Sequence, residues 1–187
     1  FKVRNNKKNL LLKIGMASRF VKGKNHIKLI KCIKKINQKK LIVQLDLLGT
    51  GPNFNSVKSF IVNKKLKKMI NLCGFKDKNY IRKWYKSLDA YVHWSEGEVV
   101  SRSILEAMVN KKLIFASDIP STREQLIYGS TCGVLFKDEK DFVRKFNNYI
   151  IDKKKIIFFR KNCHIQLQKK YHIEIFVKKL NNLIENI

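Results

Sequence analysis

Glu98 and Glu106 stand with seven residues between them in Ser95-Glu96-Gly97-Glu98-Val99-Val100-Ser101-Arg102-Ser103-Ile104-Leu105-Glu106-Ala107-Met108. Carboxylates accept hydrogen bonds from hydroxyls, and these two flank an expected strand-to-helix turn. The apolar run Ala90-Tyr91-Val92-His93-Trp94 reads as a buried strand, and residues 104–109 carry good helix formers at helical period. Ligands of open α/β sheets bind at the carboxyl ends of strands, where such turns lie. A carboxylate before the turn and another in the first helical turns could therefore grip the hydroxyls of one sugar-bearing ligand. A structural reading of Glu106 stands beside this one. Ser103-Ile104-Leu105-Glu106 fits a capping box, with the Ser covering the N–H of the third helical residue and the Glu reaching back.

A second group of chemically capable residues lies upstream. The apolar run at residues 11–15 leads into Ser18-Arg19-Phe20-Val21-Lys22-Gly23-Lys24-Asn25-His26, and behind it Leu29, Ile30, Ile33 and Ile36 recur at helical spacing. This is another strand-loop-helix unit, and its loop carries Arg19 and Lys24. Arg presents a planar fork of donors suited to phosphate, and Lys a mobile point charge. A diphosphate held by both cations and by the N–H groups of a helix start would need no metal. The bland alternative is that these are two of 41 basic residues on a solvated loop.

Taken in order, the segments resemble the nucleotide-sugar-binding half of a retaining glycosyltransferase of the GT-B fold, family 4 (glycosyl transferases group 1). Ser18-Arg19-Phe20 and Lys24-Asn25-His26 match that family's Gly-Arg-Leu and Lys-Asn-His elements, with Ser in place of Gly. Leu47-Leu48-Gly49-Thr50-Gly51-Pro52 matches its Gly-x-Gly-Pro turn, and Leu72-Cys73-Gly74-Phe75 a later strand end. Trp84-Tyr85-Lys86-Ser87-Leu88-Asp89 precedes the next strand, and the Glu-x7-Glu segment closes on Leu105-Glu106-Ala107-Met108. Ile114-Phe115-Ala116-Ser117-Asp118-Ile119-Pro120, Glu124 and Gly133-Val134-Leu135-Phe136 complete the order.

The resemblance implies roles for these positions. Arg19 and Lys24 would clamp the donor diphosphate and stabilise the departing nucleoside diphosphate. Glu98 would bind hydroxyls of the transferred sugar, and these three are the expected catalytic residues. Glu106 would take the ribose hydroxyls, with Leu105 beside it. The backbone N–H groups of Val100 and Ser101 would face sugar or phosphate, and the backbone of Gly74 and Phe75 would lie beside the base. No metal and no cofactor is implied, the nucleotide-sugar being a substrate. The chain departs from the family at Val99-Val100-Ser101, where Gly and Pro are usual, since β-branched residues restrict φ and ψ. Glu96-Gly97 offers another register, in which Glu96 would contact the sugar.

The elements needed to hold these residues are also legible. The expected fold is α/β: a Rossmann-like, mostly parallel sheet with helices on both faces, one half of a GT-B architecture, with a helical C-terminal tail. Residues 1–10 read as a linker or truncated interdomain segment, residues 11–165 as the nucleotide-sugar-binding domain, and residues 166–187 as the tail. Phe142, Phe146 and Ile150 share one helical face, a second helix covers about 152–169, and a third is expected over 173–187. The 187 residues suffice for one such domain but not two. An N-terminal acceptor domain or partner subunit is therefore expected to be missing. The opening Phe1-Lys2-Val3-Arg4, without an initiating Met, favours truncation over a split subunit or a separately encoded donor half.

Charge narrows the partners. Lys and Arg number 41 against 14 Asp and Glu, a net +27. The lysines fall in scattered pairs such as Lys34-Lys35, Lys67-Lys68 and Lys178-Lys179, without a helix-turn-helix, zinc-finger or aromatic RNA-binding signature. Nucleic acid is accordingly not an expected partner. Joint richness in Lys, Asn, Ile and Phe matches A/T-rich codons and discounts part of the excess. The remainder suits an anionic leaflet, where each nearby Lys contributes on the order of 1 kcal/mol. Cys32, Cys73, Cys132 and Cys163 form no Cys-x-x-Cys pair and fit reduced thiols of a cytoplasmic protein, peripheral at the inner face of the cell membrane. His93 reads as an ordinary buried residue. No run reaches the ~20 apolar residues of a membrane span. Three functions stay open: the donor half of a transferase building a cell-surface glycan on a glycan or lipid-linked acceptor; a non-catalytic or degenerate sugar-nucleotide binder; and a basic nucleic-acid module. The last predicts salt-sensitive duplex binding indifferent to Glu98→Ala or Glu106→Ala.

Overall fold

The computed structural model describes residues 4–6, 9–37, 41–128, 131–172 and 174–175. Apolar runs form six parallel strands: β2 (Asn9–Ala17), β3 (Leu41–Leu48), β4 (Ile70–Gly74), β5 (Ala90–His93), β6 (Leu113–Ser117) and β7 (Val134–Phe136). Their spatial order is β4-β3-β2-β5-β6-β7. The chain winds outward from β2 to β4, returns, and winds the other way from β5 to β7. This doubly wound order is Rossmann-like, and its direction reverses between β2 and β5. Asp89 fixes that junction: its N–H donates to Lys13 O at 2.7 Å, and its Oδ2 accepts the Lys13 N–H at 2.8 Å.

Helices cover both faces because the strands are apolar on both. Strands β5 and β6 are buried at every position, as a central parallel sheet requires. On one face, Leu12, Ile14, Val43, Leu45, Val92 and Phe115 pack under α1 (His26–Ile36), α2 (Phe54–Asn63) and α6 (Glu139–Tyr149). The other face joins Tyr91, Ile114 and Ala116 to α3 (Lys78–Ser87), α4 (Arg102–Val109), α5 (Pro120–Leu126) and α7 (Lys153–Lys170). Trp84 of α3 lies over Gly15, where an added Cβ would collide with the indole. Its Nε1–H reaches the buried Asp46 Oδ2 at 2.9 Å, and Asp46 is also met by Lys13 at 3.1 Å and Asn71 at 2.7 Å. One cation and two neutral donors thus satisfy a carboxylate that would be costly to bury alone.

Two sequence expectations change. The linker assigned to residues 1–10 contains strand β1 (Arg4–Asn6) and the start of β2, paired antiparallel with Arg4 opposite Leu11. Strand β5 pairs with β2 only at Ile14 and Gly15, which leaves the earlier backbone groups of that edge to be satisfied by β1. A polar, basic segment does not advertise such pairing. The boundary set at residue 165 falls inside α7, whose buried Cys163 and Gln166 bind it to the sheet domain as one helix. The expected third helix at 173–187 lies outside the described residues, apart from 174–175.

Candidate functional site

The two loops that leave β2 and β5 meet at the reversal of strand order, where an open α/β sheet presents its ligand crevice. The β2 loop is laced to its neighbour from β3. Ser18 N–H donates to Leu48 O at 3.0 Å, Phe20 N–H to Thr50 O at 2.9 Å, and Asn53 N–H to Phe20 O at 2.9 Å. Such close approach explains Gly49, which has a φ of 119° and no room for a Cβ beside Ser18 O. Phe20 stacks on His26 with ring centroids 3.9 Å apart, and Ser18 Oγ holds His26 Nε2 at 2.9 Å. Burial, followed by the charge of Lys24, lowers the His26 pKa to about 4. A neutral imidazole therefore pins the loop at neutral pH.

The β5 loop begins at Trp94, whose ring stands edge-on to Phe136 at 4.8 Å, and continues into Ser95. Ser95 N–H donates to Ser117 Oγ at 3.0 Å, and Ser117 Oγ–H returns to Ser95 O at 2.7 Å. Glu96 N–H donates to Gly23 O at 2.9 Å, joining the two loops across a cleft of about 530 Å³ lined by residues 21–24 and 95–97. Within this junction Lys24 Nζ forms an ion pair with Glu98 Oε2 and donates to Ser95 Oγ at 3.0 Å. Ser95 Oγ stands 3.4 Å from Glu98 Oε2, and His93 Nε2 stands 3.8 Å from the same oxygen.

Of the expected site residues, Lys24 and Glu98 are brought into direct contact although they are 74 positions apart. Arg19 is exposed on the same loop; its carbonyl accepts the Val21 N–H at 3.0 Å, and its guanidinium makes no hydrogen bond or ion pair with the described residues. Glu106 is half-buried on α4. Burial pushes the Tyr85 hydroxyl far above its usual range, and the adjacent Tyr91 and Glu106 add to that shift. Tyr91 donates to Ala17 O at 3.1 Å, so this group lies by the end of β2. Val100 is 54 % exposed and Leu105 half-buried. Gly74 ends β4 with a φ of 69°, its carbonyl accepting the Gly49 N–H at 2.9 Å, and Phe75 is exposed beside it.

Two local expectations are corrected. Ser101, not Ser103, caps α4, accepting the Ile104 N–H at 3.4 Å, so the capping box at residues 103–106 does not form. The Ser101 N–H does not face the cleft, because Gln125 Oε1 takes it at 2.9 Å while Gln125 Nε2 returns to Ser101 O at 3.1 Å. A buried peptide must satisfy both groups, and Gln125 does so. Sequence reasoning missed Ser95 and Ser117 as supports of Glu98, and Gln125 as the clamp on Ser101. Only Ser95, three residues ahead of Glu98, carried a local signal.

Sheet order, loop pair and cation–carboxylate junction together define a doubly wound α/β domain with a candidate crevice at its switch point. The chain belongs to the family of glycosyl transferases group 1, whose pattern it matches over residues 1–164. It is 32 % identical over 112 residues to protein CapJ of Staphylococcus aureus, covering 57 % of this chain and 28 % of CapJ. Its fold superposes on S. aureus TarM, in a complex that includes UDP, with a TM-score of 0.80 at 23 % identity. That match covers 98 % of this chain and 38 % of TarM. HepE of Anabaena, in complex with UDP and glucose, gives a TM-score of 0.79 at 21 % identity, covering 96 % of this chain and 49 % of HepE. The C-terminal domain of a group 1 glycosyl transferase, LpcC of Francisella tularensis, gives 0.71 at 23 % identity, with 87 % of each chain covered. The chain thus spans about a quarter of CapJ and well under half of TarM.

Proposed function

We propose that this chain is the donor-binding domain of a retaining, metal-independent glycosyltransferase of the GT-B fold, family 4. It would move a hexose from a nucleotide-sugar to a glycan or lipid-linked acceptor at the cytoplasmic face of an anionic membrane. A separate acceptor domain would complete the cleft. The observation that carries the reading is the Lys24–Glu98 contact at the sheet's switch point, with exposed Arg19 on the same loop. Arg19 and Lys24 hold the donor diphosphate and stabilise negative charge on the leaving nucleoside diphosphate. Glu98 accepts hydrogen bonds from hydroxyls of the transferred sugar, and Glu106 from those of the ribose. Relatives crystallised with UDP, and with UDP and glucose, support a nucleotide-sugar as the ligand class.

Calorimetric titration with UDP, GDP, ADP and their sugar conjugates, with and without a chelator, tests this reading. Saturable, chelator-resistant binding of one nucleoside diphosphate is expected, and the Arg19→Ala/Lys24→Ala double variant should lose it by about a hundredfold. Glu106→Gln should spare pyrophosphate and weaken the nucleoside. Equal losses of pyrophosphate and nucleoside affinity in both variants would refute the assignments. The exposed Val99 and Val100, where the family resemblance implies Gly and Pro, favour a second reading as a binder without turnover. Donor binding that persists with no transfer by the full-length protein would select it.

A further inference from the structure

We propose that His93 is a positioning residue for Glu98, offering its Nε2–H to the carboxylate once Lys24 turns to the donor diphosphate; this rests on the donor-binding reading above. His93 ends β5 and is 2 % exposed. Its Nε2 has no hydrogen-bond partner among the described residues, and the carboxylate beside it is Glu98, with Oε2 3.8 Å away. On the other side of the ring, Nδ1 lies 3.4 Å from Ser101 Oγ. That hydroxyl accepts the Ile104 N–H, and Ser103 Oγ–H, 3.0 Å away, can also donate to it, which leaves the Ser101 proton for Nδ1. An imidazole that accepts at Nδ1 carries its proton on Nε2. The proton then faces Glu98 across 3.8 Å, about 0.6 Å beyond the longest ordinary N–H···O hydrogen bond.

In the free chain Lys24 is paired with that same oxygen, Oε2. A diphosphate offers Lys24 more negative charge than one carboxylate does, so binding draws the ammonium away. Glu98 would then be a half-buried anion without its cation, and the nearby Nε2–H satisfies one oxygen while the other stays open to the donor sugar. Among the described residues, charged groups act on His93 from two loops: Lys24 from the β2 loop and Glu98 from the β5 loop. Strand β6 pairs Ala116 with it, and α4 and α5 bring the uncharged Ser101, Ser103 and Gln125. Burial and Lys24 lower its pKa to about 4 against the opposite pull of Glu98, so His93 donates as a neutral ring.

Two measurements test the hand-over. Nitrogen-15 spectra of the free chain should show His93 as the Nε2–H form, titrating near 4. Lys24→Met should move that midpoint upward, and Glu98→Gln downward. Unmoved midpoints or the Nδ1–H form would overturn the proposal without reference to any ligand. Titration with UDP and UDP-glucose supplies the second reading. His93→Leu should weaken UDP-glucose about fivefold to tenfold, the worth of one hydrogen bond, and UDP less than about twofold. His93→Gln, which keeps an N–H at the end of the side chain, should stay within about twofold of wild type for both. Equal loss of both ligands in His93→Leu, or no rescue by Gln, would mark His93 as structural only. A wild-type chain that binds neither ligand would sink the donor reading, while the spectra still decide the His93–Glu98 contact.

Discussion

Two buried imidazoles give single residues control over acid stability. His26 and His93 both titrate at about 4 in the folded chain, against 6.5 for the free side chain, chiefly because burial disfavours the charged form. The unfolded chain therefore takes up protons over that interval while the folded chain does not. The contribution is complete above about pH 6.5 and drains as the pH falls toward about 4, by roughly 2 to 3 kcal/mol per histidine. Urea midpoints measured at about pH 7 and about pH 4.5 should differ accordingly. His26→Phe keeps the stacking partner of Phe20 and should shrink that difference, at the cost of the Ser18 contact at neutral pH. A pH profile unchanged in the variant would show that His26 is charged, or reached by water, in the folded state.

At the scale of elements, the start of α4 is held by a side chain from α5. Gln125 answers both peptide groups of the buried Ser101, and Gln166 Nε2 in turn donates to Gln125 O at 3.3 Å and to Tyr128 O at 2.6 Å. Gln125→Ala would orphan the buried Ser101 N–H, while Ser101 O keeps the Leu105 N–H at 3.3 Å, a loss of about 1 to 3 kcal/mol. It should also speed amide exchange at residues 101–104 more than elsewhere; uniform acceleration would mean that the clamp serves the whole fold. This device was not legible in the sequence, since Gln125 lies 24 positions from Ser101 and no local pattern links them. The strands and helices were legible because apolar periods of two and 3.6 record which face each element buries. Lys24 and Glu98 were legible through motif order, as residues on loops after two strands of one sheet. Strand β1 was hidden, its pairing being a backbone property of a polar stretch. His93 was hidden for another reason: a histidine within an apolar run looks the same whether it fills space or faces a carboxylate.

For the molecule as a whole, charge and winding set the behaviour. A net +27 on 187 residues is an excess that exposed ion pairs such as Lys28–Glu96 cannot offset, each contributing at most about 1 kcal/mol. Self-repulsion should prevail, so raising salt from about 0.02 M to about 0.3 M should stabilise the fold by on the order of 1 kcal/mol or more. A fall in the urea midpoint with salt would show that local pairs outweigh the net charge. The sheet separates the two indoles, Trp94 in the core under α1, α2 and α6 and Trp84 in the core on the other face. Trp84 is locked to Asp46 beneath α3, whereas Trp94 opens the loop that carries Ser95 and Glu98. The protein thereby contains its own ultraviolet reporter. With Trp84→Phe the sole remaining indole sits beside the cleft, and its colour and intensity would follow occupancy of the crevice without any label.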